Sequence, residues 1–433
     1  MTETTAVIIM GLSLLFLLLS GTYVAFSLGI AGLIGLIAFL PVSQPEMMGR
    51  IAWLANANWD LTAVPMFVFM GELLFYGGIS GELFNVLSKW MGRLPSGMIP
   101  AGIGACGVFA AVSGSSSVTA ATIGTVAIPE MRRLRYSEEI SLGSLAAGGT
   151  LGILIPPSIT MIVYASLAGV SIGKCFMAGL VPGILLGSSF IAAAMIWAMV
   201  RKDAAPTIPP VPWKAKILGL VQLGPTAILI SLILGGIYFG IMTPTEAGGV
   251  GAAAALALCI VRRQFTWQIL KKTLFGAVRT TCFIFIIVTG AMIFTYVIHY
   301  LGIPGQLSKA IMASGMPKWV ILVTFYLMYV ILGMFIDSIS MIVMTVPIVL
   351  PSIIALGWDP IWFAVPLTIC IEMGLITPPV GMNLYVLHGI SGETAMSKIV
   401  IGVIPFFIAM LIVLGIISIF PQISLWLPST MMR

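Results

Sequence analysis

Five consecutive small polar residues, Ser113-Gly114-Ser115-Ser116-Ser117, followed by Thr119 and Thr122, interrupt an otherwise apolar stretch of this chain. Glycine permits a turn there, while hydroxyls and backbone carbonyls are hard oxygen donors suited to an alkali cation. Small polar residues also pack helix interfaces in membranes. Five in succession exceed what packing needs, which points to ion or substrate contact. Two proline pairs stand in similar company, Pro156-Pro157 after Gly152 and Pro378-Pro379 after Gly374. A Pro-Pro pair removes two backbone donors and clashes with the preceding turn, so a helix must break at each. In hydrocarbon such a break survives only where it is buried in protein, lines a cavity or binds something.

Four acidic residues fall deep within apolar sequence: Glu72, Glu246, Asp337 and Glu372. An intramembrane carboxylate is costly and is a functional candidate by default. Asp337 is the strongest of these, standing beside the second broken region. Glu246, in Thr243-Pro-Thr-Glu-Ala247, and Glu72 read equally as partnered structural residues or helix caps, and Glu372 as a cap on the second break. No GxxxxGK[ST] loop is present, which argues against ATP as the driving force, and no HExxH or Gly-x-Ser-x-Gly signature marks an enzyme. Neither broken region holds a basic residue, so an anion there is expected to rely on dipoles, hydroxyls and bound cations.

The elements that position these groups are set by composition. Hydrophobic residues make up 60% of the 433 residues and charged ones only 8%, against about 25% charged in soluble domains. Apolar runs long enough to span a bilayer recur, as at 6–19, 182–199, 217–240 and 399–420. No Lys or Arg precedes the first run, so it reads as a retained span rather than a signal peptide. Basic residues cluster in short loops: Lys89 and Arg93, then Arg132, Arg133 and Arg135, then Arg201, Lys202, Lys214 and Lys216, then Arg262, Arg263, Lys271 and Lys272. These loops are expected to face the cytoplasm and to act as an orientation signal, not as a nucleic-acid surface. The five cysteines lack metal or disulfide spacing, and His299 and His388 stand alone.

An internal repeat organises the whole. Gly152-Ile-Leu-Ile-Pro-Pro157 returns as Gly374-Leu-Ile-Thr-Pro-Pro379, a shift of 222 residues, and the same shift carries Pro129 onto Pro351. It also lays Ser113-Gly114-Ser115 on Phe335-Ile336-Asp337, one polar interruption on another. Between the halves, residues 201–216 form a polar connector rich in proline. The expected fold is an all-α polytopic membrane protein of two repeats, 1–205 and 206–433. Weak internal symmetry of this kind is typical of secondary transporters, whose broken helices hold substrate and coupling ions near the midplane. An inverted arrangement of the repeats is favoured.

Residues 109–131 and 148–158, with Thr243-Pro-Thr-Glu-Ala247 and Gly374-Leu-Ile-Thr-Pro-Pro-Val-Gly-Met-Asn-Leu384, resemble the large membrane subunit of tripartite ATP-independent periplasmic (TRAP) transporters over nearly the whole chain. That resemblance implies an elevator-type fold with two inverted repeats, each contributing a re-entrant hairpin and a broken helix to a moving body on a fixed scaffold. It implies coupling to Na+ without ATP. Residues at matching positions would bind one sodium among Ser113, Ser116, Gly152, Ile155 and Pro156, and a second near Gly333, Gly374, Thr377 and Val380. Substrate, a small carboxylate, is expected close to Ser115, Ser117, Ser158, Asp337 and Asn383. The implied partners are a small four-helix membrane subunit, expected to be separate because the chain opens directly on the large-subunit pattern, and a periplasmic substrate-binding protein. The implied setting is the bacterial inner membrane. A stand-alone di- or tricarboxylate symporter is the alternative, and a membrane-embedded enzyme or passive channel a more distant one.

Overall fold

Backbone N–H and C=O groups in hydrocarbon must be satisfied within their own segment, and an α-helix does this alone. The computed structural model, which describes residues 3–39, 45–201, 211–392 and 394–431, is accordingly helical throughout its regular structure. Among the described residues, seven helices are long and apolar enough to cross a membrane. The bent pair Glu138–Leu154 and Ile159–Ala168 makes an eighth if counted as one span. The chain is a multi-pass membrane protein. Most of the proline-rich connector (202–210) lies outside the described residues; after it, Pro212 precedes the helix Trp213–Tyr238.

Both proline pairs break their helices. Glu138–Leu154 ends before Pro156-Pro157 and restarts as Ile159–Ala168, with the axes bent by 41°. Pro360–Leu375 ends before Pro378-Pro379 and restarts as Met382–Ser391. Both Pro-Pro peptides are cis. Each broken helix follows a helix pair. The first pair is Met98–Ser113 and Ser116–Arg133, reversed at Gly114, whose φ of +61° is a conformation that glycine adopts without strain. The second pair is Lys318–Gly333 and Ser338–Ala355.

These elements recur at the spacing of the sequence motifs. Ser116–Arg133 and Ser338–Ala355 begin and end 222 residues apart. To within two residues the same displacement relates Met98–Ser113 to Lys318–Gly333 and Ile159–Ala168 to Met382–Ser391. Packing follows the same exchange: Ser116–Arg133 rests on Met382–Ser391, and Ser338–Ala355 on Ile159–Ala168. The second arm of each pair is thus seated on the broken helix of the other half. One departure is the 34-residue helix Trp267–Tyr300, which stands where the first half has Pro45–Asn56, a 3-10 turn at Trp59–Thr62 and Ala63–Tyr76. Asn58 caps that turn by accepting from the Asp60 amide, which stabilises the interruption.

The two helix pairs and the two broken helices form an inner bundle, and a polar lattice closes one end of it. Arg132 pairs with Glu138 at 3.0 Å and donates to the Ser391 carbonyl at 2.9 Å and to Thr394 Oγ1 at 3.0 Å. Arg201 pairs with Glu139 at 3.1 Å. Glu138 and Glu139 occupy the first turn of their helix and Arg132 the last turn of its own, where the helix dipoles favour those charges. Arg132, read from sequence only as an orientation signal, also ties the two halves together.

Candidate functional site

A cavity of about 270 Å3 opens where the inner bundle meets Ala63–Tyr76 and Trp267–Tyr300. Four helix N-termini reach its wall: Ser116, Ile159, Ser338 and Met382 all line it. A helix N-terminus carries a partial positive charge, and its first-turn amides can meet an anion where no cap takes them. The four are not equivalent. Ser158 caps Ile159–Ala168 by accepting from the Met161 amide at 3.2 Å, and Asp337 caps Ser338–Ala355 by accepting from the Ile339 and Ser340 amides, both at 3.1 Å. Ser116–Arg133 and Met382–Ser391 carry no side-chain cap. Their first-turn amides are therefore the ones free to meet a carboxylate. Among the described residues, no Lys or Arg lines the cavity.

Of the residues expected around substrate, Ser115, Ser117 and Asp337 line this cavity, whereas Ser158 and Asn383 are fully buried and do not. Glu72 lines it as well, its carboxyl packed over Gly276 of Trp267–Tyr300. Glu246 serves elsewhere, forming a reciprocal capping box with Thr243 at the start of Pro244–Val261.

Most of the residues expected around two cations stand at carbonyl-bearing helix ends, Ser113, Gly152 and Ile155 in one group and Gly333 and Gly374 in the other, whereas Ser116 opens its helix. In the first group Thr119 Oγ1 donates to the Ser115 carbonyl at 2.7 Å and lies 2.6 Å from Ser113 Oγ. Gly152 presses into this cluster, so that a β-carbon there would stand 2.5 Å from the Ser115 carbonyl oxygen and 2.7 Å from Thr119 Oγ1. Ile155 and Pro156 form the break that follows. Thr119, which the polar run already brought forward although the family resemblance does not place it in a sodium set, joins this group. In the second group Gly374 meets Gly333 backbone to backbone, Thr377 Oγ1 donates to the Met373 carbonyl at 2.6 Å, and the Gly381 amide reaches the Met334 carbonyl at 3.4 Å. Val380 sits at its rim, 41% exposed. Neutral hydroxyls and carbonyls at helix C-termini suit an alkali cation. No group of three His, Cys, Asp or Glu able to hold a metal ion is found among the described residues.

Glu372 corrects its sequence reading. It is not a cap but lies inside Pro360–Leu375, 1% exposed, and its Oε2 accepts from Ser116 Oγ at 2.8 Å. Ser116 Oγ in turn accepts from Asn383 Nδ2 at 2.7 Å. Glu372 Oε1 and Asn383 Oδ1 are buried without a protein donor. The partners are separated by 256 and 267 positions in sequence, so spacing gave no sign of this node.

Comparison with known proteins agrees with this architecture. The YdaH transporter of Alcanivorax borkumensis has a similar fold, with a TM-score of 0.62 at 14% identity over 93% of this chain and 98% of that one. MtrF of Neisseria gonorrhoeae aligns with a TM-score of 0.57 over 91% of this chain and 93% of its own. In sequence, the C4-dicarboxylate TRAP transporter large permease protein DctM of Vibrio cholerae is 32% identical, covering 98% of both chains. The sialic acid TRAP transporter large permease SiaM of the same species is 30% identical over 95% of this chain and 96% of its own. The isethionate TRAP permease DctMQ of Oleidesulfovibrio alaskensis is 32% identical over 96% of this chain but only 65% of its own length. The model of the tripartite ATP-independent periplasmic transporter DctM component matches residues 12–423, and the chain belongs to that family of large permease subunits.

Proposed function

We propose that this permease imports a small organic anion, a carboxylate by preference, coupled to the entry of sodium and without ATP. The observation that carries the reading is the cavity at Ser115-Ser116-Ser117 and Met382, where two uncapped helix N-termini meet and, among the described residues, no Lys or Arg lines the wall. Amide groups there would hold the anion's oxygens, and hydroxyls would fix its orientation. Sodium would sit in the two oxygen-rich groups around Gly152 and Gly374 and offset the negative charge nearby.

The cavity's position between the inner bundle and the helices Ala63–Tyr76 and Trp267–Tyr300 supports an elevator mechanism. In this reading two inverted repeats, 1–205 and 206–433, each give a re-entrant helix pair and a broken helix to a moving body. The remaining helices form a scaffold in the bacterial inner membrane. A small four-helix membrane subunit and a periplasmic substrate-binding protein complete the system; the longer DctMQ relative is consistent with a second membrane part joined to the permease in that protein.

The test is uptake of radiolabelled organic acids into proteoliposomes that contain the permease and its small partner, with and without a sodium gradient and the binding protein. Uptake that requires both is the expected result. Uptake of free substrate without the binding protein would replace this reading with a stand-alone symporter, and indifference to sodium would remove the coupling ion.

A further inference from the structure

Glu372 is the only carboxylate among the buried charged residues described, and the node it forms is one-sided. The residue 222 positions earlier is Thr150, whose hydroxyl donates to the Ala147 carbonyl of its own helix. Of this pair of positions, only the one in the second half sends a carboxyl group into the core, and it sends it to Ser116 of the first half. No ion pair reaches Glu372 among the described residues. A buried carboxylate with one oxygen unpartnered is unfavourable unless something compensates it.

The valence of Ser116 Oγ shows where compensation can act. A hydroxyl has one proton and two lone pairs. Here the proton goes to Glu372 Oε2 and one lone pair accepts from Asn383 Nδ2, which leaves one lone pair. A hydroxyl that donates to a carboxylate carries more negative charge on its oxygen and is a better cation ligand. Outer hydrogen-bond partners of metal ligands act in this way.

We propose that Glu372 is a positioning residue for the first sodium: by accepting from Ser116 it orients and polarises that hydroxyl from across the molecule. The proposal rests on the sodium reading of the group around Gly152. It makes that site a joint product of both halves, because Glu372 and Asn383 flank the second proline break while Ser116 belongs to the first helix pair. Sodium occupancy in one half thereby bears directly on the broken helix of the other.

The experiment is thermal unfolding of the purified permease in detergent, titrated with sodium against potassium at constant ionic strength and without substrate. Glu372→Gln keeps the volume and removes the charge. The proposal expects this variant to melt at or above wild type without sodium, and to need roughly 10–100-fold more sodium for half of its stabilisation. A merely structural Glu372 would instead lower the sodium-free midpoint and leave the titration where it was, and that outcome overturns the proposal. Ser116→Ala guards against a variant that fails to fold. It should shift the titration likewise, and the double variant should shift no further, since both changes break one chain of contacts; additive shifts would also overturn the proposal. If wild type gains no stability from sodium over potassium, the sodium reading itself falls. If it does gain and Glu372→Gln follows the wild-type curve, only the role of Glu372 falls.

Discussion

Gly374 and Gly333 touch through their backbones: a β-carbon on Gly374 would stand 2.5 Å from the Cα of Gly333 and 2.8 Å from the Val330 carbonyl oxygen. The contact joins the second broken helix to the helix pair before it, at the group of residues assigned to the second sodium. Gly374→Ala must open this gap, at a cost of about 1–3 kcal/mol for overpacking. The expected outcome is a lower thermal midpoint together with a higher sodium requirement for uptake. Unchanged values of both would mean that the two helices part easily here.

Asp337 is at once a cavity residue and the cap of Ser338–Ala355. Replacing it with alanine removes both roles, whereas asparagine retains a side-chain oxygen for the cap. Asp337→Asn should keep stability close to wild type, while Asp337→Ala should lose about 1 kcal/mol. If the charge serves transport, both variants lose uptake while still inserting in the membrane. Wild-type uptake by Asp337→Asn would reduce Asp337 to a cap.

Thr377 donates its hydroxyl proton to the Met373 carbonyl, and its oxygen lone pairs remain as potential ligands. Thr377→Val deletes the oxygen at similar volume. Half-maximal uptake should then require more sodium, by about tenfold, with substrate affinity at saturating sodium little altered. A superimposable sodium curve would exclude the hydroxyl as a ligand.

Arg132 ties the end of its own helix to the Ser391 carbonyl, to Thr394 and to Glu138. Its side chain is 40% exposed, so the ion pair is worth little and is screened by salt. The hydrogen bonds from a charged donor count for more, about 1.5–3 kcal/mol each when well shielded and less here. Arg132→Met should therefore lower the thermal midpoint at low and at high salt alike. A loss confined to low salt would assign the effect to Glu138 instead.

The parts of this architecture that rest on local covalent chemistry were legible from residue types. Pro156-Pro157 and Pro378-Pro379 cannot continue a helix, and Gly114 within a run of serines marks a reversal. The spacing of 222 residues announced helices that do recur at that distance. Contacts made across the two halves were not legible. Glu372 stood out as an acidic residue in apolar sequence, but its partner Ser116 lies in the other half, and no local pattern distinguishes a carboxylate that caps a break from one that reaches across the core. Ser158 and Asn383 were expected near substrate from the family resemblance alone; in the structure they bond to the Met161 amide and to Ser116 and are buried. Asp337 carried a readable signal as a cap in its position just ahead of Ser338-Ile339-Ser340, which its prominence as an intramembrane acid obscured.

The exchange of arms between the halves also bears on how the chain is made. Ser116–Arg133 and Ile159–Ala168 emerge from the ribosome long before Met382–Ser391 and Ser338–Ala355, the helices that cover them. Units that fold during synthesis ordinarily close on themselves before the next one arrives. Here the first half enters the bilayer with one flank uncovered: Glu138–Leu154 can pack at once on Met98–Ser113 and Ser116–Arg133, but Ile159–Ala168 meets Ser338–Ala355 only when the second half has been inserted beside it.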